Sequence, residues 1–313
     1  MSIRVLITGG SGLIGRHLTD MLLEDHYKVA WLSRRVDGSP NKPSGSDVGM
    51  FRWDVERGDI EGEAVEWADA VVHLAGAGVA ERRWTPRRKR TILDSRVRAT
   101  RLLARSLRAA KRRSKVVVAA SATGLYGSDG GGDWMAEEHD PGARDFLAEV
   151  VRRWEDEIAA ITDTGVRSVV VRIGIVLSRD GGVLPKMMLP FRLGLGSPVG
   201  AGTQYMSWIH IEDLCRMIVH ALADSAWHGV YNGAAPQPVT NAVFSEELAR
   251  AMDKPFFMPA VPAFVLRMAM GEMSSIVLGG ARVSCAKTRR EGFTFHYPTL
   301  QAAFGELFGS DPK

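Results

Sequence analysis

Three glycines near the amino terminus carry the clearest chemistry in the sequence. In Val5-Leu6-Ile7-Thr8-Gly9-Gly10-Ser11-Gly12-Leu13-Ile14-Gly15, the residues Gly9, Gly12 and Gly15 have the spacing GxxGxxG. They lie between a β-branched run and a helical pattern. There Gly9 permits a tight turn, Gly12 lets backbone approach a pyrophosphate, and Gly15 lets a helix pack close to a sheet. The helix that Leu13 and Ile14 open offers free N–H groups and its positive dipole end to phosphates. The chemistry is dinucleotide binding. About twenty residues on, the next apolar run ends Trp31-Leu32-Ser33-Arg34-Arg35. An Asp or Glu there would accept hydrogen bonds from free ribose hydroxyls. Instead Ser33 can donate to a phosphate, and Arg34 or Arg35 can form a bidentate charged pair with it. The expected cofactor is NADP(H) rather than NAD. His210, which closes the strand-like run Tyr205–Ile211, titrates near neutrality and is a candidate acid or base.

These residues need a frame. Short apolar runs at Arg4–Thr8, Lys28–Ser33, Phe51–Asp54, Ala70–Leu74, Val116–Ser121 and Arg167–Arg172 alternate with helical patterns at Leu13–Glu24, Arg87–Lys111 and Ala143–Ile161. Continuously apolar strands alternating with helices predict an α/β fold, a Rossmann-type doubly wound parallel sheet covered on both faces. Such sheets bind ligands beyond the carboxyl ends of their strands, where strand order reverses. After about Gly174 glycine and proline become frequent. A helix is expected near Ile211–Ala223, a strand near Val230–Asn232, and helices near Asn241–Met252, Pro262–Met270 and Leu300–Phe308. This divides the chain into a dinucleotide-binding domain, 1–174, and a smaller mixed α/β substrate lobe, 175–313, with segments returning to the main sheet.

Composition bounds the rest. The 313 residues are 45% hydrophobic and 24% charged, with a mean hydropathy of −0.06. Those are ordinary globular values, and no apolar run approaches the ~18 residues that span a bilayer. Two cysteines, Cys215 and Cys285, make neither a disulfide framework nor a metal site. With an amino-terminal apolar run too short for a secretory signal, the expectation is a cytoplasmic protein, monomer or homodimer, without membrane partners. Net charge is +4, yet between Arg82 and Lys115 there are fifteen lysines and arginines against one acid, Asp94. Leu93, Val97, Leu103, Leu107 and Ala110 form an apolar stripe through this stretch, with Arg98, Arg101, Arg105, Arg108 and Arg112 opposite. It reads as an amphipathic helix with a solvated basic face, so nucleic acid is not an expected partner.

Several segments carry a resemblance: Thr8–Gly15, Val72-His73-Leu74-Ala75-Gly76, Asp94-Ser95-Arg96, Ser121-Ala122-Thr123-Gly124-Leu125-Tyr126-Gly127, Leu189-Pro190-Phe191-Arg192-Leu193-Gly194, Ser207-Trp208-Ile209-His210-Ile211 and Tyr231-Asn232-Gly233-Ala234-Ala235-Pro236. Over nearly its whole length the chain resembles the extended short-chain dehydrogenase/reductase superfamily. Its nearest look is to the atypical NADP-binding, sugar-nucleotide-epimerase-like group of epimerase family proteins. The resemblance implies that Leu74 and Ala75 pass under the adenosine and pyrophosphate, that Asp54 meets the adenine amino group, that Arg96 turns inward toward phosphate, and that Val176 lies near the nicotinamide. It places Gln204 and Trp208 along a substrate pocket. Arg192 is a candidate to meet an anionic substrate, the alternative being an exposed helix residue.

The catalytic members of that superfamily use a Tyr-x-x-x-Lys pair, one helical turn apart. No tyrosine here is followed four residues later by lysine. On the matching helix the positions look to be Phe146 and Val150, which cannot move a proton. The remaining candidates are Ser121 and Thr123, to orient a carbonyl, and Tyr126 or His210, to supply a proton. Two functions stand: an NADP(H)-dependent oxidoreductase or epimerase-like enzyme acting on a small carbonyl or sugar-derived compound, or a non-catalytic NADPH-binding sensor that docks a partner.

Overall fold

The computed structural model describes residues 2–34, 47–139 and 142–309. The amino-terminal half runs β1 (Arg4–Thr8), α1 (Leu13–Glu24), β2 (Lys28–Ser33), β3 (Gly49–Asp54), β4 (Asp59–Ile60), α2 (Gly62–Trp67), β5 (Ala70–His73), α3 (Pro86–Ala109), β6 (Val116–Ala122), β7 (Asp129–Met135), α4 (Phe146–Thr162) and β8 (Arg167–Ile173). The remainder runs β9 (Ile175–Leu177), α5 (Leu184–Arg192), β10 (Tyr205–Met206), β11 (Trp208–His210), α6 (Ile211–Ala223), β12 (Gly229–Gly233), β13 (Val239–Thr240), α7 (Asn241–Ala251), α8 (Ala263–Met270), α9 (Ser275–Leu278), β14 (Gly280–Val283), α10 (Ala286–Arg290) and α11 (Leu300–Phe308).

Eight strands form the main sheet in the order β12-β8-β6-β5-β1-β2-β3-β4. All neighbours are parallel except β4, which returns antiparallel along β3. The alternation of side chains along each strand divides the core in two. Val5, Ile7, Val29, Trp31, Val72 and Val118 face one side and are covered by α1 and α6. Leu6, Ala30, Leu32, Val71 and Val117 face the other, against Ala64 and Val65 of α2 and Ala99 to Leu107 of α3. Both faces being covered explains why these strands read as unbroken apolar runs. The chain leaves β1 toward β2 on one side, and β5 flanks β1 on the other, so strand order reverses at β1/β5.

Helix starts follow local capping. Asp145 accepts from the Ala148 N–H and starts α4 at Phe146, three residues later than the sequence pattern suggests. Thr85 likewise caps α3, and Pro86 occupies its first position. The helix α5 is not among the sequence-based expectations; it carries two prolines, Pro185 in its first turn and Pro190 near its end. The run Tyr205–Ile211 is not one strand: Ser207 interrupts it, its carbonyl accepting from the Ile175 N–H and its hydroxyl donating to the Ala281 carbonyl. The carboxyl-terminal segment is interwoven with the main layer. The strand β12 pairs with β8 as a sheet edge, and Ile209, Leu214, Met217 and Trp227 share a core with Val5 and Ile7. A separate core of Leu184, Phe191, Trp208, Phe244 and Phe304 lies under α5, α7 and α11. No helix among the described residues is long and apolar enough to cross a membrane.

Candidate functional site

The site is built on the turn from β1 into α1. Gly9 has φ +73°, and a Cβ there would stand 2.9 Å from the Leu74 carbonyl carbon. The turn therefore lies directly on the end of β5, which only glycine permits. At Gly15 a Cβ would come 2.4 Å from the Gly9 oxygen and 2.6 Å from the Gly10 Cα, so α1 sits flush on the turn. Gly12 differs: its φ is −77°, and its Cβ would meet only the Gly9 oxygen, at 3.2 Å, and otherwise open space. The first N–H groups of α1, from Leu13 and Ile14 onward, are those that no helix satisfies internally.

A chain of hydrogen bonds fastens β1 to β5 beneath this turn. The Thr8 hydroxyl oxygen accepts from the Leu74 N–H (3.1 Å) and the Ala75 N–H (3.2 Å) and lies 2.8 Å from His73 Nδ1. His73 Nε2 lies 2.9 Å from the Thr100 hydroxyl, which itself donates to the Arg96 carbonyl. Because Thr8 accepts from two amides, its own proton goes to Nδ1. The histidine is then the neutral Nε2–H tautomer donating to Thr100. Complete burial agrees, pulling the His73 pKa down to about 4.

Above the turn opens a cavity of about 1130 Å³. Its floor is Gly9, Gly10, Ser11 and Gly12. One wall carries Trp31, Ser33 and Arg34 from the end of β2, with Trp53, Asp54, Val55 and Glu56 from the end of β3. The opposite wall carries Leu74, Ala75, Gly76 and Ala77, then Arg87, Arg90, Thr91, Asp94, Ser95 and Arg98 of α3. The structure thus brings Gly9, Gly12, Ser33, Arg34, Asp54, Leu74 and Ala75 around one space. Arg35 lies outside the described residues. Asp54 holds the backbone N–H groups of Arg57 and Glu56 on Oδ1, and those bonds, that from Arg57 first, lower its pKa. Arg96 is turned inward but beneath the lining: its Nη1 donates to the Ala77 and Ile92 carbonyls at 3.0 Å each, and its guanidinium stacks on Trp154. Burial, with Arg88 nearby, brings its pKa down to about 10. Gly15, Leu13, Ile14 and Val176 stand behind the cavity, the last three packed against the core.

The candidate catalytic side chains are held elsewhere. Ser121 donates to Glu155 Oε1 at 2.5 Å, and Arg172 grips the same carboxylate through Nε (2.9 Å) and Nη2 (2.8 Å). Arg172 Nη1 also donates to the Tyr126 oxygen (3.0 Å), and the tyrosine donates to Asn232 Oδ1 (2.8 Å). Burial opposes the charge on Arg172, but Glu155 more than offsets it and its pKa rises. Tyr126 is 1% exposed, and burial raises its pKa, against the proton donation expected of it. Thr123 makes one long bond, 3.4 Å, to the Ile173 carbonyl. His210 caps α6, accepting at Nδ1 from the Glu212 N–H, with Nε2 2.9 Å from Glu306 and its ring tilted against that of Tyr297; burial lowers its pKa. Trp208 is fully buried in the core under α5, its indole N–H on the Gln237 carbonyl, and is not a pocket wall. Gln204 ties the Val199 carbonyl to that of Val277, and Arg192 is exposed at the end of α5. On α4, Phe146 packs edge-on against Trp84 and Val150 is buried. Neither position offers a proton.

The family model of the NAD dependent epimerase/dehydratase family matches residues 5–233, and a domain of unknown function (DUF1731) matches 261–307. The chain belongs to the NAD-dependent epimerase/dehydratase family. Within this family it is 35% identical over 308 residues to the human epimerase family protein SDR39U1, covering 97% of this chain and 99% of that one. It is 34% identical over 303 residues to the Bacillus subtilis epimerase family protein YfhF, covering 97% of each. The crystal structure of human SDR39U1 (isoform 2) with NADPH matches 99% of this chain and all of that one, with a TM-score of 0.85. The family explains the sheet and turn. It does not name the cavity residues that sequence reasoning missed: Gly10, Ser11, Trp53, Glu56 and the α3 residues Arg87, Arg90, Thr91, Asp94 and Arg98. The last five fall at i, i+3, i+4, i+7 and i+11 along one helix face, which is the signal that could have found them. Of the rest of the basic face, Arg101 is answered by Glu157, Arg105 by the Gly58 carbonyl and Arg112 by Asp69, while Arg108 is exposed.

Proposed function

We propose that this protein binds NADP(H) in the cavity above Gly9–Gly12 and uses it for hydride transfer with a small carbonyl or sugar-derived compound. The carrying observation is the join of two features in one space, a glycine turn whose Gly12 leaves room for a phosphate against backbone and Ser33 with Arg34 at the end of β2 where an acid would favour NAD, with the amides opening α1 directly behind that turn. The relative crystallised with NADPH supports the same reading. When bound, the cofactor supplies the hydride. This chain's residues hold and orient. Leu74 and Ala75 support the adenosine, and the turn amides take the pyrophosphate. Thr123 has the least committed hydroxyl of the candidates and is assigned to orient the carbonyl, the proton coming from water.

A second reading, a non-catalytic NADPH sensor, is favoured by one observation. Ser121, Tyr126 and His210 are all engaged in internal hydrogen bonds, and α4 offers Phe146 and Val150 in place of a proton-transfer pair. Titrating the protein with NADPH and NADH, then following NADPH absorbance with a panel of carbonyl compounds, separates them. Turnover that falls at least tenfold in Thr123→Val with NADPH affinity unchanged supports the enzyme. Tight NADPH binding without turnover on any compound supports the sensor. No binding of either coenzyme overturns both.

A further inference from the structure

Most cationic side chains of α3 are already engaged. Arg88 holds the Gly78 carbonyl and Glu81, Lys89 pairs with Glu272, Arg98 with Asp94 and Arg101 with Glu157. Arg87 and Arg90 are exceptions. Both line the cavity, yet neither guanidinium has a hydrogen-bond or ion-pair partner among the described residues. Arg34, on the facing wall, is in the same condition. None of the three carboxylates of the cavity pairs with them: Asp94 is paired with Arg98, Asp54 holds two backbone amides and Arg57, and Glu56 is exposed at the rim with no ion pair to Arg34, Arg87 or Arg90. Three like charges around one space repel one another unless an anion joins them. The pyrophosphate has its own receptor in the turn and the start of α1. A second phosphate has only Ser33 and Arg34 beside β2, and a phosphate dianion presents three oxygens.

We propose that Arg87 and Arg90 form the second wall of a 2′-phosphate clamp, gripping the phosphate of NADP(H) from α3 while Arg34 grips it from β2. The inference rests on the NADP(H) reading above and extends it: coenzyme choice is made by two elements rather than one. The spacing fits. Arg87, Arg90, Asp94 and Arg98 fall on one face of α3, and the Asp94–Arg98 pair fills its lower end, leaving the two free arginines above the carboxyl edge of the sheet.

The test is binding, not turnover. Dissociation constants for NADPH, NADH, 2′,5′-ADP and 5′-ADP are measured by calorimetry on the wild type, Arg87→Ala, Arg90→Ala, the double variant and Arg108→Ala. Arg108 is exposed at the far end of the same helix and controls for lost charge. The double variant should lose NADPH and 2′,5′-ADP affinity by roughly 10- to 100-fold, as expected for one or two charge-assisted contacts. NADH and 5′-ADP should change less than threefold, and Arg108→Ala should match wild type. Equal losses for NADPH and NADH would put the arginines on the pyrophosphate and overturn the clamp. Unchanged affinity for every ligand would leave them solvated and overturn it too. If the wild type itself binds neither coenzyme, the NADP(H) reading fails instead, a result distinct from both.

Discussion

Gly12 and Gly15 are three residues apart, and the structure gives them opposite jobs, so alanine at each should fail in opposite ways. At Gly15 the new methyl would stand 2.4–2.6 Å from Gly9 and Gly10 backbone atoms, which cannot rotate away. Overpacking of this kind costs about 1–3 kcal/mol, or roughly 2–6 °C in Tm for a chain of this size. Because α1 and the turn must separate, NADPH binding should fall as well. At Gly12 the backbone is already at φ −77°, which alanine adopts freely. The methyl would meet only the Gly9 oxygen at 3.2 Å and then project into the cavity. Stability should stay within about 1 kcal/mol of wild type, helped by the smaller entropy of the unfolded chain. A phosphate could no longer reach the backbone. Losing two charge-assisted bonds at about 1.5 kcal/mol or more each is roughly a hundredfold in affinity. Thermal melts with NADPH titrations on both variants make the comparison. If Gly12→Ala binds NADPH as well as wild type, the phosphate does not sit on this turn and the cavity has been misassigned.

Arg34→Ala should weaken NADPH by about 5- to 30-fold, below the full value of a charged pair because the side chain is exposed, while NADH changes less than twofold; equal losses would remove Arg34 from the 2′-phosphate. His73, with its folded pKa near 4 against 6.5 when free, stays neutral where the unfolded chain takes up a proton. The protein should therefore be fully stable above pH 6.5 and lose up to about 3 kcal/mol as pH falls toward 4. His73→Gln should flatten that part of the Tm–pH curve, and an unchanged slope would refute the assignment. Tyr126→Phe should cost about 0.5–1.5 kcal/mol, as a buried hydrogen bond does, and leave NADPH binding and any turnover intact. Abolished turnover at unchanged Tm would instead make Tyr126 the proton donor.

How far the sequence was legible depended on whether a residue's role was local. Strand β1, helix α1 and strand β2 fall at their expected bounds, because the glycine spacing, the 3.6-residue period and the apolar runs are all properties of adjacent residues. The bounds of α6 and α11 were legible for the same reason. Roles set by distant partners were not. Nothing in the local pattern says that Ser121 would meet Glu155, 34 residues away, or that Tyr126 would lie between Arg172 and Asn232. The resemblance placed Trp208 along a substrate pocket, yet it closes a core made by α5, α7 and α11, whose convergence no window of sequence contains.

The basic helix shows the same limit from the other side. Its period separated an apolar side from a charged face, although the buried side is Ile92, Ala99, Leu102, Leu103 and Leu107 while Leu93, Val97 and Ala110 are half-buried; and a charged face reads as solvated only if water is what lies opposite. Here the lower part of that face meets Asp69, Glu157 and the Gly58 carbonyl, while the upper turns border the cavity. Which it is depends on where α3 rises past the carboxyl edge of the sheet, fixed by the Ser95 hydroxyl on the Ala77 N–H and Arg96 on the Ala77 carbonyl. Two hydrogen bonds to one loop residue thus set which arginines answer carboxylates and which stand over the turn. Loosening that anchor with Ser95→Ala should weaken NADPH binding without removing any charge from the cavity, and an unchanged affinity would mean that α3 is placed by its apolar stripe alone.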